Sequence, residues 1–243
     1  MIEVHGLTKR FGTVEAVRDV GFVAQDGRIT GLLGPNGAGK STTLRIIATV
    51  LRPDAGWARI DGFDTHADSL AARRRLGVLP HASGLYPNLT ARENIEFYGR
   101  LHGLGEAQLA ARIAELVELL EIEEFAERRA KGFSQGQRIK VALARALISD
   151  PQNVILDEPT NGLDVMSIRA LRALIARLRD SGRCVLFSSH VMQEVAALCD
   201  EIVIIGHGRV VAQGTPEKIL EASGAATLED AFVHAVGLPG AAP

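Results

Sequence analysis

The sequence of 243 residues is poor in cysteine and in aromatic residues, with two cysteines, one tryptophan, two tyrosines and eight phenylalanines. Cys184 and Cys199 have neither metal-ligand nor redox-motif spacing, which argues against a site built on cysteine. Such sparse cysteine is typical of a reducing compartment. Stability must therefore come from an apolar core, and hydrophobic residues make up 47% of the chain, enough to form one.

The sequence also has no excess of one charge and no long apolar run. Its 27 basic and 29 acidic side chains give a formal net charge of -2, which argues against a dedicated nucleic-acid-binding protein. The densest basic clusters, at residues 73–75 and 128–131, are short and typical of solvated helix faces. No apolar run approaches the roughly 20 residues of a membrane helix, and no signal-peptide pattern is present. We expect a protein that is soluble by itself and reaches a membrane only through a partner.

One stretch organises the rest of the chain, because it fits the phosphate-loop motif G-x-x-x-x-G-K-[ST] in full. It follows an apolar run at residues 29–33 and precedes a helix-like run at residues 42–50. A strand, a loop and a helix in this order are the context that the motif requires. The motif residues are Gly34, Pro35, Asn36, Gly37, Ala38, Gly39, Lys40 and Ser41.

Each residue type in this motif suits the binding of a nucleoside triphosphate. Glycines let the backbone curl until several N–H groups point at one phosphate chain. Lys40 supplies a cation for the β- and γ-phosphates, and the Ser41 hydroxyl is suited to Mg²⁺. A helix that begins at Ser41 directs its positive dipole end at the same anion. The alternative is a glycine-rich turn with a chance lysine.

Two acidic residues and a histidine follow apolar runs further along the chain. Asp157 and Glu158 come directly after residues 154–156, at the end of a strand where open α/β sheets place their chemistry. Asp157 is a candidate for holding Mg²⁺, and Glu158 for polarising the attacking water. His190 follows residues 184–187 and is a candidate for contacting the γ-phosphate or orienting that water. The alternatives are a solvated acidic pair and a structural histidine.

The N-terminal part of the sequence predicts an antiparallel ribbon that leads into the phosphate loop. Strand patterns cover residues 2–8 and 14–24, and an Asp-Gly turn joins them to residues 28–33. Phe11 lies on the connection between the first two strands. Taken alone, it is more typical of an ordinary core or ribbon residue than of an aromatic platform for adenine.

The middle of the chain is helical in pattern, from about residue 81 to residue 150. A capping box with Thr90 as the N-cap begins one helix, and apolar residues spaced on one helical face indicate another. The last helix of this region is predicted over residues 138–149. The chain then returns to strands, with a further helix over residues 165–180, and ends in a tail over residues 216–243. We expect the residues from Pro239 onward to be frayed.

The motifs and their order resemble the ATP-binding subunits of ABC (ATP-binding cassette) transporters over nearly the whole chain. Residues 133–137, Phe-Ser-Gln-Gly-Gln, stand where the family has its L-S-G-G-Q signature, and residues 161–164 stand at its dimer-contacting loop. The resemblance implies an α/β P-loop ABC ATPase core over residues 1–215. It has a mixed sheet, an antiparallel N-terminal ribbon and an all-helical subdomain inserted at about 81–150.

The resemblance also implies a role for each candidate residue in binding and hydrolysing ATP with Mg²⁺. Ser41 and Asp157 would hold the metal, Glu158 would be the base, and His190 would be the switch histidine. Phe11 would stack on adenine, and Ser134 and Gly136 would meet the γ-phosphate bound to a second copy in an ATP-dependent homodimer. Besides the phosphate loop, the implied ATP contacts are Phe11, Thr42, Ser134, Gly136 and Gln137.

Two departures from the family pattern bear on function. The signature has Phe133 in place of leucine and Gln135 in place of its first glycine, which leaves open the backbone geometry there. His81 stands where most relatives have a glutamine that touches Mg²⁺ or the water and links the site to the membrane partner. Because Mg²⁺ prefers oxygen ligands, we expect His81 to make a water-mediated or outer contact.

The segment at residues 79–86 and the short tail are similar to the export branch of the family. Within it, the nearest resemblance is to ATPase subunits of two-component sodium exporters, followed by drug and antibiotic exporters. It implies an integral membrane permease as partner, a cytoplasmic position on the inner face of the cell membrane, and no nucleic-acid partner. The alternatives are a cytosolic translation or DNA-repair ATPase, which tends to carry paired cassettes or coiled-coil insertions, and an iron–sulfur assembly ATPase.

Overall fold

Two β-sheets with helices packed around them make up the fold, which a computed structural model describes for residues 1–237. The predicted frayed end from Pro239 lies outside the described residues. The strands are β1 (Ile2–Phe11), β2 (Val14–Ala24), β3 (Ile29–Leu33), β4 (Ala55–Ile60), β5 (Phe63–Asp64), β6 (Leu76–Leu79), β7 (Asn153–Asp157), β8 (Cys184–Ser189), β9 (Glu201–Gly206) and β10 (Arg209–Gly214).

The helices lie between and after these strands. They are α1 (Lys40–Ile47), α2 (Ser69–Arg73), α3 (Ala91–Leu101), α4 (Glu106–Leu119), α5 (Gln135–Leu147), α6 (Val165–Asp180), α7 (Met192–Leu198), α8 (Pro216–Ser223) and α9 (Leu228–Val236), with 3₁₀ turns at Glu123–Phe125 and Ala130–Gly132. Within residues 1–237, no helix is both long enough and apolar enough to cross a lipid bilayer.

A six-stranded mixed sheet places the candidate residues at one edge. Its strand order is β10-β9-β3-β8-β7-β6, and every neighbouring pair except β9 and β10 is parallel. The carboxyl ends of β3, β6, β7 and β8 therefore meet at the same edge. The phosphate loop follows β3, His81 comes two residues after β6, Glu158 follows β7, and His190 follows β8.

The central strands are buried on both faces, which explains their continuous apolar runs. In β7, Val154 and Leu156 pack in a core shared with the helices, whereas Ile155 packs in the core on the opposite face. Alternate residues of β8 divide in the same way. Parallel strands covered on both sides have this character. The two cores fix the strands from both faces and so fix the positions of their carboxyl ends.

The predicted N-terminal ribbon is present and belongs to a second sheet. Strands β1 and β2 pair antiparallel, and β4 and β5 extend the pair into a four-stranded sheet of order β2-β1-β4-β5. Helix α1 packs in the core on this side of the mixed sheet, because Leu44, Ile46 and Ile47 are buried there. The pairing of β1 with β4 joins residues about 50 apart in sequence, which a local pattern does not reveal.

Between β6 and β7, the helices and 3₁₀ turns are the only regular elements among the described residues, as predicted for 81–150. The one strand-like contact there is an isolated bridge between Thr90 and Arg129. Apolar residues of this segment, including Ile95 and Leu116, lie in the same core as Phe187 of the mixed sheet. The division into an ATPase domain, an inserted subdomain and a tail stays a prediction.

The capping box at the start of α3 yields a stability prediction. The Thr90 hydroxyl oxygen accepts a bond from the Glu93 N–H at 3.1 Å, and the Glu93 carboxylate accepts one from the Thr90 N–H at 2.7 Å. Replacing Thr90 by alanine removes one of the two bonds and should lower the free energy of unfolding by about 1 kcal/mol. Urea denaturation measures the change. Thr90→Ser is the matched control and should stay near wild type; equal losses in both variants would contradict the capping role.

Candidate active site

The phosphate loop is pressed against neighbouring backbone at two glycines. A side chain on Gly34 would place its Cβ 2.3 Å from the Ile205 carbonyl oxygen, and one on Gly39 would place it 2.4 Å from the Ala16 carbonyl oxygen. Gly39 also has a φ of 106°, in the region that favours glycine. Only glycine at these two positions lets the loop backbone approach the neighbouring carbonyl oxygens this closely. The resulting concave loop is of the kind that receives an anion.

Lys40 is buried inside this loop, with only 4% of its surface exposed. Its Nζ donates to the carbonyl oxygens of Gly34 at 2.7 Å and Pro35 at 3.2 Å, and it lies 3.7 Å from Glu158 Oε1. Burial lowers the pKa of the Lys40 ammonium below its ordinary value, and the carboxylates of Glu158 and Asp157 oppose that shift only in part. A buried ammonium in this position favours the arrival of a phosphate chain.

Oxygen ligands for a divalent cation meet beside the loop. The Ser41 hydroxyl donates to Asp157 Oδ1 at 3.3 Å, so these two predicted metal residues are in contact. Hydroxyl and carboxylate oxygens suit Mg²⁺. No group of three histidine, cysteine or acidic residues able to hold a metal occurs within residues 1–237. Mg²⁺ typically takes one or two protein ligands and completes its shell with water and phosphate oxygens, so the donor set fits it.

Ser188 is a site residue that the sequence did not single out. Its hydroxyl donates to Asp157 Oδ1 at 2.7 Å and accepts a bond from the Glu158 N–H at 2.9 Å. It therefore fixes both members of the acidic pair. Ser188 is paired with Asp157 across the parallel strands β7 and β8. That register, rather than any local pattern, was the signal needed to find it.

Polar groups from three segments surround the Glu158 carboxylate. His190 Nδ1 lies 3.5 Å from Oε1, and His81 Nδ1 lies 3.6 Å from Oε2. His190 follows β8 and His81 follows β6, the two strands that flank β7. The Asn161 side-chain amide donates to Oε2. Glu158 itself has a φ of 49°, an uncommon left-handed backbone for a residue with a side chain. The structure thus brings together His81, Glu158 and His190, as well as Lys40.

Phe11 lies beside the phosphate loop and not in the core. Phe11 is the last residue of β1, where it pairs with Val14 of β2, and does not lie on the connection as predicted. With 48% of its surface exposed, it is a ribbon residue and not a core residue, and its role as a platform for adenine stays a prediction. Together with Ala16, loop residues 36–42 and Glu158, it lines one open cleft. An exposed aromatic face at the rim of an anion-binding loop is suited to a flat ring attached to the phosphates.

The signature segment forms the start of a helix. Helix α5 begins at Gln135, three residues earlier than the predicted Arg138, because Ser134 and Gln137 form a capping box. Gln135 is helical and does not have a positive φ, so its backbone needs no glycine. Phe133 is buried edge-to-face against Phe125, with ring centroids 5.3 Å apart. Both substitutions within the signature therefore fit this chain.

The signature and the phosphate loop line two different clefts, which share no residue. Ser134, Gly136 and Gln137 line an open cleft with Asp164 and Ser167. Among the described hydrogen bonds and ion pairs, none joins these three residues to the phosphate loop. One copy of the chain therefore presents two separated sets of predicted ATP contacts.

Comparison with known proteins agrees with this geometry. The family model described as ABC transporter matches residues 17–161, more than half of the chain. The chain belongs to the ABC transporter family. It is 42% identical to the ABC transporter ATP-binding protein NatA of Bacillus subtilis over 96% of this chain and 97% of that protein. It is 38% identical to the Nod factor export ATP-binding protein I of Ralstonia nicotianae over 90% and 68% respectively.

Solved ABC structures have the same fold. The ATP-binding subunit of an ABC transporter gives a TM-score of 0.89 at 31% identity, covering 97% of this chain and 99% of that one. The dimeric structure of MJ0796, a bacterial ABC transporter cassette, gives 0.81 at 28% identity, covering 88% and 98%. The predicted fold and the predicted ATP-hydrolysing subunit of an ABC exporter are confirmed, and the non-transport alternatives are wrong.

Two glycines of the phosphate loop differ in the space around them, which allows a matched test of their role in ATP binding. Alanine at Gly39 would meet the Ala16 carbonyl, whereas alanine at Gly37, which also has a positive φ of 80°, would meet nothing within 4 Å. Gly39→Ala should therefore weaken ATP binding by at least about 10-fold, and Gly37→Ala by less, since only backbone strain of about 1–2 kcal/mol applies there. Calorimetric titration with ATP and Mg²⁺ measures both. Similar affinities for the two variants would contradict the close-approach role of Gly39.

Proposed function

We propose that ATP is bound between the phosphate loop of one copy and the signature of a second copy, and that its hydrolysis drives export through a separate membrane permease. The observation that supports this most is the separation of the two sets of ATP contacts within one chain. A head-to-tail homodimer would bring each loop to the partner's signature. MJ0796, a relative of similar fold, forms a dimer.

In this proposal, the phosphate loop and its flanks hold the nucleotide. Loop N–H groups and the α1 N-terminus face the phosphates, and Lys40 exchanges its carbonyl contacts for phosphate oxygens. Thr42 lines the same cleft, and Phe11 packs against adenine. Ser41 and Asp157 hold Mg²⁺, which supplies charge neutralisation at the phosphate oxygens.

Hydrolysis transfers the γ-phosphoryl group to water. Water oxygen bonds to the γ-phosphorus, the bond from that phosphorus to the ADP oxygen breaks, and ADP and inorganic phosphate result. Glu158 accepts a proton from the attacking water, so its carboxylate must be ionised and correctly placed. His190 and His81, on either side of that carboxylate, orient the water and the γ-phosphate. Asn161 keeps the carboxylate aimed at the cleft.

The partner's signature completes the site in the proposed dimer. In the capping box the Ser134 oxygen accepts the Gln137 N–H, so the Ser134 hydroxyl hydrogen is not used by that bond and can be donated to a phosphate. The N-terminus of α5 adds its partial positive charge. Gly136 has no side chain that would obstruct a phosphate beside Ser134. The Gln137 side-chain oxygen accepts a bond from the Ser134 N–H and so stabilises the cap.

Replacing the base should trap the dimer. Glu158→Gln keeps the shape of the side chain but cannot take a proton, so ATP and Mg²⁺ should convert the monomer to a dimer that persists. Hydrolysis should fall by at least about 100-fold. Size-exclusion chromatography with light scattering, repeated at high protein concentration, measures the mass. Adding Lys40→Ala to Glu158→Gln is the control and should restore the monomer, because the phosphate loses its main cation. A Glu158→Gln chain that stays monomeric at every concentration would count against the proposal.

The proposed permease contact lies on the loop after β6. Tyr86 is 44% exposed and Phe97 of α3 is 39% exposed, and their rings meet edge-to-face at 5.2 Å. With residues 87–89 they line an apolar groove. The neighbouring Leu85 is partly buried against the main core and does not belong to this groove. A short apolar helix of the permease fits this groove, which would place the chain at the cytoplasmic face of the membrane.

Two residues hold this loop in place. Asn94 bonds the main chain of Tyr86 in both directions, at 2.9 and 3.1 Å. Arg145 of α5, itself buried, donates to the carbonyl oxygens of Ser83 at 3.1 Å and Gly84 at 3.0 Å. The loop therefore runs from His81 at the active site to the groove with its backbone fixed. The permease sets the transported substrate, and sodium ions or drugs are the classes that the sequence resemblance supports.

Weakening the groove should separate transport from hydrolysis. Replacing both Tyr86 and Phe97 by serine removes the apolar contact but leaves the catalytic groups in place. Basal ATPase of the isolated chain should stay within about 2-fold of wild type, because no interaction with the transition state is lost. Permease-stimulated ATPase and transport in vesicles should fall. Leu70→Ser, a substitution at an exposed leucine on α2, is the control. Normal co-purification and transport by the double variant would exclude this groove as the docking site.

A further inference from the structure

Glu194 of α7 is a buried carboxylate that the proposed mechanism does not use. Only 6% of its surface is exposed. Its Oε2 accepts hydrogen bonds from two hydroxyl groups, that of Thr160 at 2.8 Å and that of Ser189 at 3.0 Å, and both of these residues are buried as well. A buried carboxylate is costly unless its oxygens are hydrogen-bonded, so these two bonds are what makes the position tolerable.

The two hydroxyl groups belong to the two segments that carry the catalytic side chains. Thr160 comes two residues after Glu158, and Ser189 immediately precedes His190. The Ser189 oxygen also accepts a bond from the Val191 N–H at 2.9 Å, so the chain is held on both sides of His190. Glu194 therefore links the segment after β7 to the end of β8, in addition to the bonds that Ser188 makes there.

The backbone at Glu158 needs such support. Its φ of 49° is unfavourable for a residue with a side chain and persists only where the surroundings fix it. Ser188 fixes the Glu158 N–H from one side, and the bond from Thr160 to Glu194 fixes the following turn. If that turn relaxed, Glu158 would move relative to His190, whose Nδ1 now lies 3.5 Å from Glu158 Oε1.

We infer that Glu194 is a positioning residue that fixes the separation of Glu158 and His190 by accepting the Thr160 and Ser189 hydroxyls together. This inference rests on the proposed roles of Glu158 and His190. Glu194 does not touch ATP or the attacking water, and it acts through the two segments that it joins. Its loss should therefore slow hydrolysis and leave nucleotide binding largely unchanged.

The hydrogen-bond geometry indicates that Glu194 acts as an acceptor rather than as a charge. Both bonds end on the same oxygen, Oε2, and a carbonyl oxygen has two lone pairs. Glutamine at this position can accept both hydroxyls through its single amide oxygen. Alanine leaves both hydroxyls without their acceptor. The pair of variants therefore separates the loss of geometry from the loss of negative charge.

The test measures kcat and KM for ATP in the full chain, with ATP-analogue affinity and thermal unfolding in parallel. Glu194→Ala should lower kcat by at least about 10-fold, since small displacements of catalytic groups have effects of this size. Its analogue affinity should stay within about 2-fold of wild type, because ground-state contacts are retained. Glu194→Gln should recover kcat to within about 3-fold of wild type.

A second pair of variants applies if Glu194→Ala fails to fold. Thr160→Val removes one hydroxyl donor at nearly constant shape, so it should lower kcat without affecting analogue affinity. Thr160→Ser keeps the hydroxyl and should retain the kcat of wild type. Wild-type kcat in Glu194→Ala, equal kcat in Thr160→Val and Thr160→Ser, or a Glu194→Gln variant as slow as Glu194→Ala would each overturn the inference. Glu158→Gln is assayed alongside, and wild-type hydrolysis by that variant would instead overturn the proposed function on which the inference rests.

Discussion

Parallel pairing of four strands is the constraint on which the active site depends. Because β3, β6, β7 and β8 run in the same direction, the residues that follow them meet at one edge although they are far apart in sequence. The register matters as much as the direction, since Asp157 lies opposite Ser188 only in the observed alignment. A shift of one residue would turn Asp157 toward the other face of the sheet. The apolar cores on both faces prevent that shift.

The site concentrates features that are unfavourable in isolation. It contains a buried ammonium at Lys40, a buried carboxylate at Glu194 and a left-handed backbone at Glu158. Lys40 donates to carbonyl oxygens of its own loop, and Glu194 accepts from hydroxyls of two other segments. The Glu158 N–H donates to the Ser188 hydroxyl oxygen. Such groups are expected where charge must be presented to a ligand. The surrounding sheet supplies the stability that makes them possible.

Local patterns in the sequence were enough to predict much of this arrangement. The phosphate loop, the acidic pair after β7, the cap at Thr90 and the bounds of α6 depend on contiguous residues, and the structure places these elements as predicted. Ser188, the bonds of Glu194 and the burial of Leu85 could not be predicted in this way, because each depends on which distant segments become neighbours. The early start of α5 was missed because the cap at Ser134 lies inside a motif interpreted only as a ligand contact.

The bonds from Arg145 to the loop after β6 have a consequence for how that loop can vary. Both acceptors are main-chain carbonyl oxygens, of Ser83 and Gly84, which every residue type possesses. Substitutions at Ser83 therefore leave its acceptor in place. Gly84 is different, because its φ of 56° lies in the left-handed region that favours glycine. In the loop that we propose faces the permease, the side chain of residue 83 is therefore free to vary, whereas residue 84 is restricted to glycine by its backbone.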